Sequence, residues 1–401
     1  GSAVANVMST GVVTIPMIKR TGYPAHRAAA IEAVASTGGQ HLPPVKGAAA
    51  FLMAEFLDTP YSTVALAALV PGILYYAALF IQADLEAVRH NIAAVPRSER
   101  PKASDVISGW HFVLGFAVLI LTLFTFNWQP AKSALAATAT VLITSIVLGY
   151  QGERFGPGKI WQTLSRAGLA SIDLILICAA AGMVIGVLNM TGLSFNLSYA
   201  LVQLGGGSKI ALLLMSAVVC IVLGMGLPTL GVYVLLATLV APALVELGVD
   251  KIAAHLYVLY FGMMSMITPP VAIAAFAAAG IAGTRPMLTG LEAMRFGWPA
   301  YVVPFLFVFS PSLIQRGEIS DMVISIALAG IGVTVMSVAL TGFFRRALNW
   351  PERMAAFLAG ICVFLPYAAV PGGAVINILG LVLTGVLYLW LRNAGISRAS
   401  A

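Results

Sequence analysis

The chain has 401 residues, of which 60% are hydrophobic and 9% charged, and its net charge is +7; the mean hydropathy is +0.96. Soluble domains carry about a quarter charged residues, so a soluble enzyme, a nucleic-acid binder and a disordered chain are excluded. Cys178, Cys220 and Cys362 lie in separate apolar runs without ligand spacing, which supports neither a disulfide framework nor a zinc site. No basic region precedes an apolar stretch at Gly1, so no signal peptide is read, and the chain is expected to be a fragment truncated at its amino end.

A crossing helix needs about 20 apolar residues. Residues 1–16 are rich in small side chains and read as the tip and second arm of a re-entrant hairpin. Residues 28–57 are apolar but interrupted by Ser36-Thr37-Gly38-Gly39-Gln40-His41 and Pro43-Pro44. Crossing helices are expected over residues 62–81, 108–127, 131–150 and 167–190. Residues 209–246 are long enough for two helices folding back at Gly224-Met225-Gly226-Leu227-Pro228-Thr229, a second hairpin. Residues 256–281 carry Ser265, Thr268 and Pro269-Pro270 at their middle. Residues 296–314, 320–344, 354–370 and 374–391 complete the crossings. Five tryptophans, Trp110, Trp128, Trp298, Trp350 and Trp390, stand near the ends of these segments and are expected to form an aromatic belt.

Proline removes a donor and clashes with the carbonyl four residues back, so each Pro-Pro breaks its helix. Irregular backbone at membrane depth is tolerated only where it is buried in protein or faces a watery cavity. The two breaks are related: Pro43-Pro44-Val45 recurs as Pro269-Pro270-Val271, and at the same offset of 226 Pro16 falls on Pro242 and Gly22 on Gly248. This predicts an internal repeat. With each broken helix counted as one crossing and each hairpin as none, the two copies have opposite orientation. One side then holds 17 lysines and arginines, among them Lys19, Arg20, Arg27, Arg295 and Arg346, and the other only Lys132, Lys209, Lys251 and Arg316. That asymmetry places the richer side, and the carboxyl end, in the cytoplasm.

The expected fold is therefore an all-α polytopic membrane protein with inverted repeats, re-entrant hairpins and broken helices, which is the pattern of secondary transporters. Four regions follow: a first repeat core (1–57), connecting scaffold helices (58–190), a second repeat core (191–282) and carboxyl-terminal helices (283–401). Half-helix termini offer N–H groups to an anion and carbonyls to a cation. Ser36, Thr37, Ser265 and Thr268 supply hydroxyls beside them; Gly1, Ser2, Gly38, Gly39, Gly224 and Gly226 let a ligand approach the backbone. Kinked helices packed closely through Ser and Gly are the bland alternative.

Residues Gly1 to Val7, Ile15-Pro16 and Lys19-Arg20-Thr21-Gly22-Tyr23 resemble the large membrane subunit of tripartite ATP-independent periplasmic (TRAP) transporters. So do Ala35 to Gln40 with Pro43-Pro44, Gly224 to Thr229, Ala241-Pro242 and Thr268-Pro269-Pro270. The run Gly47 to Phe56 is similar to the TAXI subfamily, in which the small and large membrane subunits are fused. The resemblance implies an elevator-type permease that imports a small organic anion delivered by a periplasmic substrate-binding protein. It also implies an ion gradient as the driving force, no cofactor, a fused small subunit ahead of Gly1, and a bacterial inner-membrane location. It assigns Gly1, Ser2 and Asn6 to the first hairpin tip and Gly224, Gly226, Pro228 and Thr229 to the second. The breaks at Ser36 to Pro44 and Ser265 to Pro270 would supply carbonyls for Na⁺. Pro228 stands where many members carry an Asp, which leaves Na⁺ or H⁺ open as the coupling ion.

Lys46, after the first Pro-Pro, reads either as an anion attractor or as a snorkelling side chain. His41 sits in the first break; it reads as a helix-end hydrogen-bond partner or as a proton carrier. Glu32 and Glu55 are expected at the interface, with a proton relay as the alternative reading, Asp173 to pair with Arg166, and Glu246 and His255 to be solvated. A polytopic acyl or glycosyl transferase is the rival reading, but no G-x-S-x-G, H-E-x-x-H or Walker A pattern occurs; a passive channel is the third.

Overall fold

The computed structural model describes residues 2–43, 47–92, 102, 104, 107–150 and 153–396. Among these, helix dominates, and the only strands are Phe343–Phe344 and Arg346–Ala347, paired antiparallel across a tight turn. Four helices are long and apolar enough to span a bilayer: α4 (Tyr61–Arg89), α6 (Pro130–Val147), α16 (Ile319–Thr341) and α18 (Gly373–Ile396). Between α4 and α6 runs α5 (Phe112–Ile120), which passes into a π-turn at Leu121–Thr125. A 34-residue helix, α7 (Pro157–Met190), and α8 (Leu193–Leu204) follow α6. With its many apolar helices the chain is a multi-pass membrane protein.

The remaining helices run to at most 18 residues. α1 (Ala3–Arg20) is capped by Ser2, whose hydroxyl accepts from the Ala5 N–H. α2 (Ala25–Gly38) stops at the first break, and α3 (Ala48–Phe56) resumes beyond it. At a rise of about 1.5 Å per residue, the 14 residues of α2 cover about 21 Å, short of a hydrocarbon core of about 30 Å. Neither half spans alone. α9 (Lys209–Gly224) and α10 (Thr229–Leu239) are the arms of the second hairpin, with α11 (Ala241–Glu246) prolonging the second arm. α12 (Lys251–Met264) ends at the second break and α13 (Ile273–Ala282) follows it. α14 (Pro286–Phe296), α15 (Pro299–Phe309) and α17 (Trp350–Phe364) complete the chain.

The helix ends repeat at the spacing read from the sequence. Ala3 and Thr229, Arg20 and Glu246, Ala25 and Lys251, and Gly38 and Met264 are matching ends, each 226 residues apart. Gly22 (φ +116°) and its counterpart Gly248 (φ +77°) both make the turn with a backbone that only glycine adopts freely. The packing is reciprocal. α13 lies against α1, and their counterparts α3 and α10 also touch. Lys19 Nζ donates to the Ala282 carbonyl at 2.8 Å, closing the last turn of α13.

α12 forms the centre of the molecule, with every residue from Leu256 to Met264 buried. α4 joins this core to α16. Near its end, Glu86 is wholly buried and accepts from Arg27 of α2 (2.7 Å) and Arg295 of α14 (2.5 Å), with His90 at 3.1 Å. Trp110, Trp128, Trp350 and Trp390 are exposed, as belt residues would be. Trp298 is not: it is buried with its ring 5.7 Å from that of Phe364, because Pro299 starts a helix that folds back on the core.

Candidate functional site

The first break begins where α2 runs out of helix. Gly39 to Leu42 turn back on Ala35, Thr37 and Gly38 through backbone bonds. Two tyrosines of α4 fix this end: Tyr75 donates to the Val34 carbonyl at 2.8 Å and Tyr76 to Ala35 at 2.7 Å. Gly38 has to be glycine, since a Cβ there would lie 2.4 Å from the Tyr75 ring. Thr37 is buried and its hydroxyl is spent on the Ala33 carbonyl. Pro43 closes the described turn and Gly47 precedes α3. Pro44, Lys46 and Gly1 lie outside the described residues.

Asn6 and Ser36 are brought together: Asn6 Nδ2 donates to Ser36 Oγ at 2.9 Å. Ser36 in turn donates to Glu32 at 3.2 Å, and Thr10 and Thr14 of α1 reach the same carboxylate at 2.8 and 2.6 Å. Glu32 was expected at the interface; it is 6% exposed and faces α1. Position 32 falls on the face of α2 that packs against α1. Asn6, Thr10 and Thr14 stand four apart and so share one face of α1, as Glu32 and Ser36 share one face of α2. Those two four-residue spacings were the signal for this cluster.

The second break is built around the second hairpin tip. Ser265 ends α12, and its hydroxyl reaches the carbonyls of Gly224 (2.9 Å) and Gly262 (2.6 Å). A Cβ on Gly224 would sit 2.7 Å from the Gly262 oxygen, so tip and break touch through bare backbone. Thr268 bonds the Met264 carbonyl and the Tyr301 hydroxyl, each at 2.6 Å. A cis Pro269–Pro270 bond and a left-handed Ala272 (φ +34°) lead into α13. Gly226 turns the tip at φ +79°. Pro228 then precedes Thr229, the first and buried residue of α10, with no side-chain cap on that helix start.

The first break packs against α12. His41 is buried and its ring stacks on Tyr260 of α12 at 4.0 Å, with Tyr75 at 6.0 Å on another side. Beside it in the chain, the buried Gln40 amide finds no hydrogen-bond partner among the described residues, nor does the Tyr260 hydroxyl. Buried polar groups are otherwise almost always paired, so this junction is a place for a polar occupant. His255, expected in solvent, is instead half-buried, with Nδ1 2.8 Å from the Tyr233 hydroxyl; α10 packs over that face of α12. Glu246 is exposed, whereas the Asp173 side chain lies outside the described residues.

These features define a helical membrane protein organised around two interrupted helices and a hairpin tip. Residues 1–322 match the family described as the tripartite ATP-independent periplasmic transporter, DctM component, and the chain belongs to that family of large permease subunits. It is 24% identical over 332 residues to the 2,3-diketo-L-gulonate TRAP transporter large permease of Escherichia coli, covering 78% of this chain and 73% of that one. The C4-dicarboxylate large permease of Pseudomonas aeruginosa is 24% identical over 77% of this chain and 70% of its own. The isethionate permease DctMQ of Oleidesulfovibrio alaskensis is 22% identical over 71% of this chain and 44% of its own length.

Proposed function

We propose that this protein is the permease subunit of an ion-gradient-driven secondary transporter, which imports a small organic anion delivered by a periplasmic binding protein. The observation that carries this reading is the pair of interrupted helices, whose boundaries repeat at one offset. Close-packed glycines stand at both breaks, and the polar groups of Gln40 and Tyr260, unpartnered among the described residues, stand where the first break packs against α12. Inverted repeats moving as an elevator account for the reciprocal packing of α1 with α13 and α10 with α3. A bacterial inner-membrane location with a cytoplasmic carboxyl end accounts for the lopsided distribution of Lys and Arg. The substrate names of the three relatives are all small organic acids, which fits an uncapped start of α10, since first-turn N–H groups attract negative charge. The run from Gly47 to Phe56 supports a TAXI-type arrangement with a fused small subunit.

The coupling ion is Na⁺ or H⁺, taken at the break carbonyls or by a titrating side chain. The test is uptake of candidate organic acids into vesicles containing the full-length protein and its binding protein. Accumulation against a gradient, lost when the Na⁺ and H⁺ gradients are collapsed, is the expected result. Equilibration without accumulation would make the protein a channel, and chemical conversion of the solute would make it an enzyme.

A further inference from the structure

We propose that the Glu32 carboxyl, caged by Thr10, Thr14 and Ser36 between α1 and α2, is a reversible proton-binding site. The proposal deepens the transport reading and rests on it for its purpose: Glu32 would carry the coupling proton.

Three observations converge. The first is contact distance. Thr14 Oγ1 lies 2.6 Å from Oε2, Thr10 Oγ1 2.8 Å from Oε1, and Ser36 Oγ 3.2 Å from Oε1. Oxygens at these separations share hydrogens. Among the described residues Glu32 has no ion pair.

The second is that both protonation states are satisfied. Each threonine hydroxyl has one hydrogen and two acceptors in reach: Thr10 the Asn6 carbonyl (2.8 Å) or Glu32, Thr14 the Thr10 carbonyl (3.1 Å) or Glu32. When the carboxylate is ionised, both hydroxyls donate to it. When it is protonated, its O–H donates to a threonine oxygen, and that threonine turns its hydrogen to the backbone. Adding or removing the proton therefore strands no buried group.

The third is the other copy of the same seam. At the offset of 226, Asn6, Thr10, Thr14, Glu32 and Ser36 become Val232, Leu236, Val240, Val258 and Gly262. All five are buried in aliphatic contact. At these five positions the helix pair carries no polar side chain, its Tyr233–His255 hydrogen bond lying elsewhere along the contact, so the cage is not a requirement of the packing. It is also reachable: Asn6 and Thr10, which border the cage, are exposed. Asn6 donates to Ser36, which connects the carboxyl to the first break.

The charged surroundings are sparse. α13 carries no titratable residue. On α4 the nearby phenols of Tyr75 and Tyr76 are bonded to backbone. Glu292 and Arg295 of α14 are engaged with Arg27 and Glu86. On α1, Lys19 is bonded to Ala282 and Arg20 follows it at the helix end; on α2, His26 lies in the first turn.

The test reads the proton directly. Infrared difference spectra of the full-length protein in liposomes, without substrate, are recorded as pH is stepped, with and without Na⁺. A protonated-carboxyl band that titrates is expected. It should vanish in Glu32→Gln, survive in Glu246→Gln, and shift in frequency in Thr14→Val, which keeps the carboxyl and removes one partner. No band dependent on Glu32, or a band that Na⁺ abolishes at constant pH, would overturn the proposal. If Glu32→Gln does not fold, an unshifted band in folded Thr14→Val overturns it equally. Failure here would leave a Na⁺-coupled transporter standing. A titrating Glu32 with no solute accumulation would instead remove the transport reading and keep the proton site.

Discussion

The seam between α1 and α2 and the seam between α10 and α12 are the same contact made twice from opposite chemistry. In the first, Asn6, Thr10, Thr14, Glu32 and Ser36 form a connected hydrogen-bond network. In the second, Gly262 lets Val232 and Leu236 close directly on the helix, so tightly that a Cβ would lie 2.5 and 2.7 Å from their methyl groups. Packing of apolar surface and close approach at small residues is sufficient for such a pair in lipid. The polar version buries a carboxyl that stability does not call for. Replacing buried charged groups by well-packed apolar ones is often neutral or stabilising, which is why the first seam reads as function and the second as structure.

The strongest way to break this comparison is to copy one seam into the other. The combination Asn6→Val, Thr10→Leu, Thr14→Val, Glu32→Val and Ser36→Gly should fold, melt at or above the wild-type temperature, and abolish concentrative uptake. A protein that fails to fold would show the network to be structural after all. The reverse graft, Val258→Glu, places a carboxylate where no hydroxyl waits. It should cost on the order of 3–5 kcal/mol, as an uncompensated buried charge does, read by denaturation in detergent. Gly262→Ala drives a methyl into Val232 and Leu236 and should cost about 1–3 kcal/mol as overpacking, with a lower melting temperature. The smallest effect sharpens the first break: Tyr76→Phe removes the hydroxyl bond to Ala35 and should cost about 1 kcal/mol, read by the same melting curve.

Much of the architecture was readable in advance because proline and glycine act locally. Pro269-Pro270 breaks its helix at the expected place, the tip at Gly224 to Pro228 folds the hairpin, and the offset of 226 recurs in the helix ends. Which way a side chain points was not readable to the same degree. α2 is alanine on nearly every side, so no stripe marks the face that turns inward, and Glu32 could be placed by depth but not by rotation. His255 and Trp298 illustrate the same gap: both lie near chain segments with polar character, and both are covered by helices that approach from elsewhere in the sequence. The stacking of His41 on Tyr260 joins residues 219 apart, a distance over which periodicity carries no information.

Glu86 has a consequence for motion. A carboxylate with no exposed surface, gripped by guanidiniums from two other helices, acts as a rivet: sliding α2 or α14 past the end of α4 would leave it bare in a dry interior. In the elevator motion proposed above the three helices would travel together, with the plane of slip on the far side of α4, toward α16.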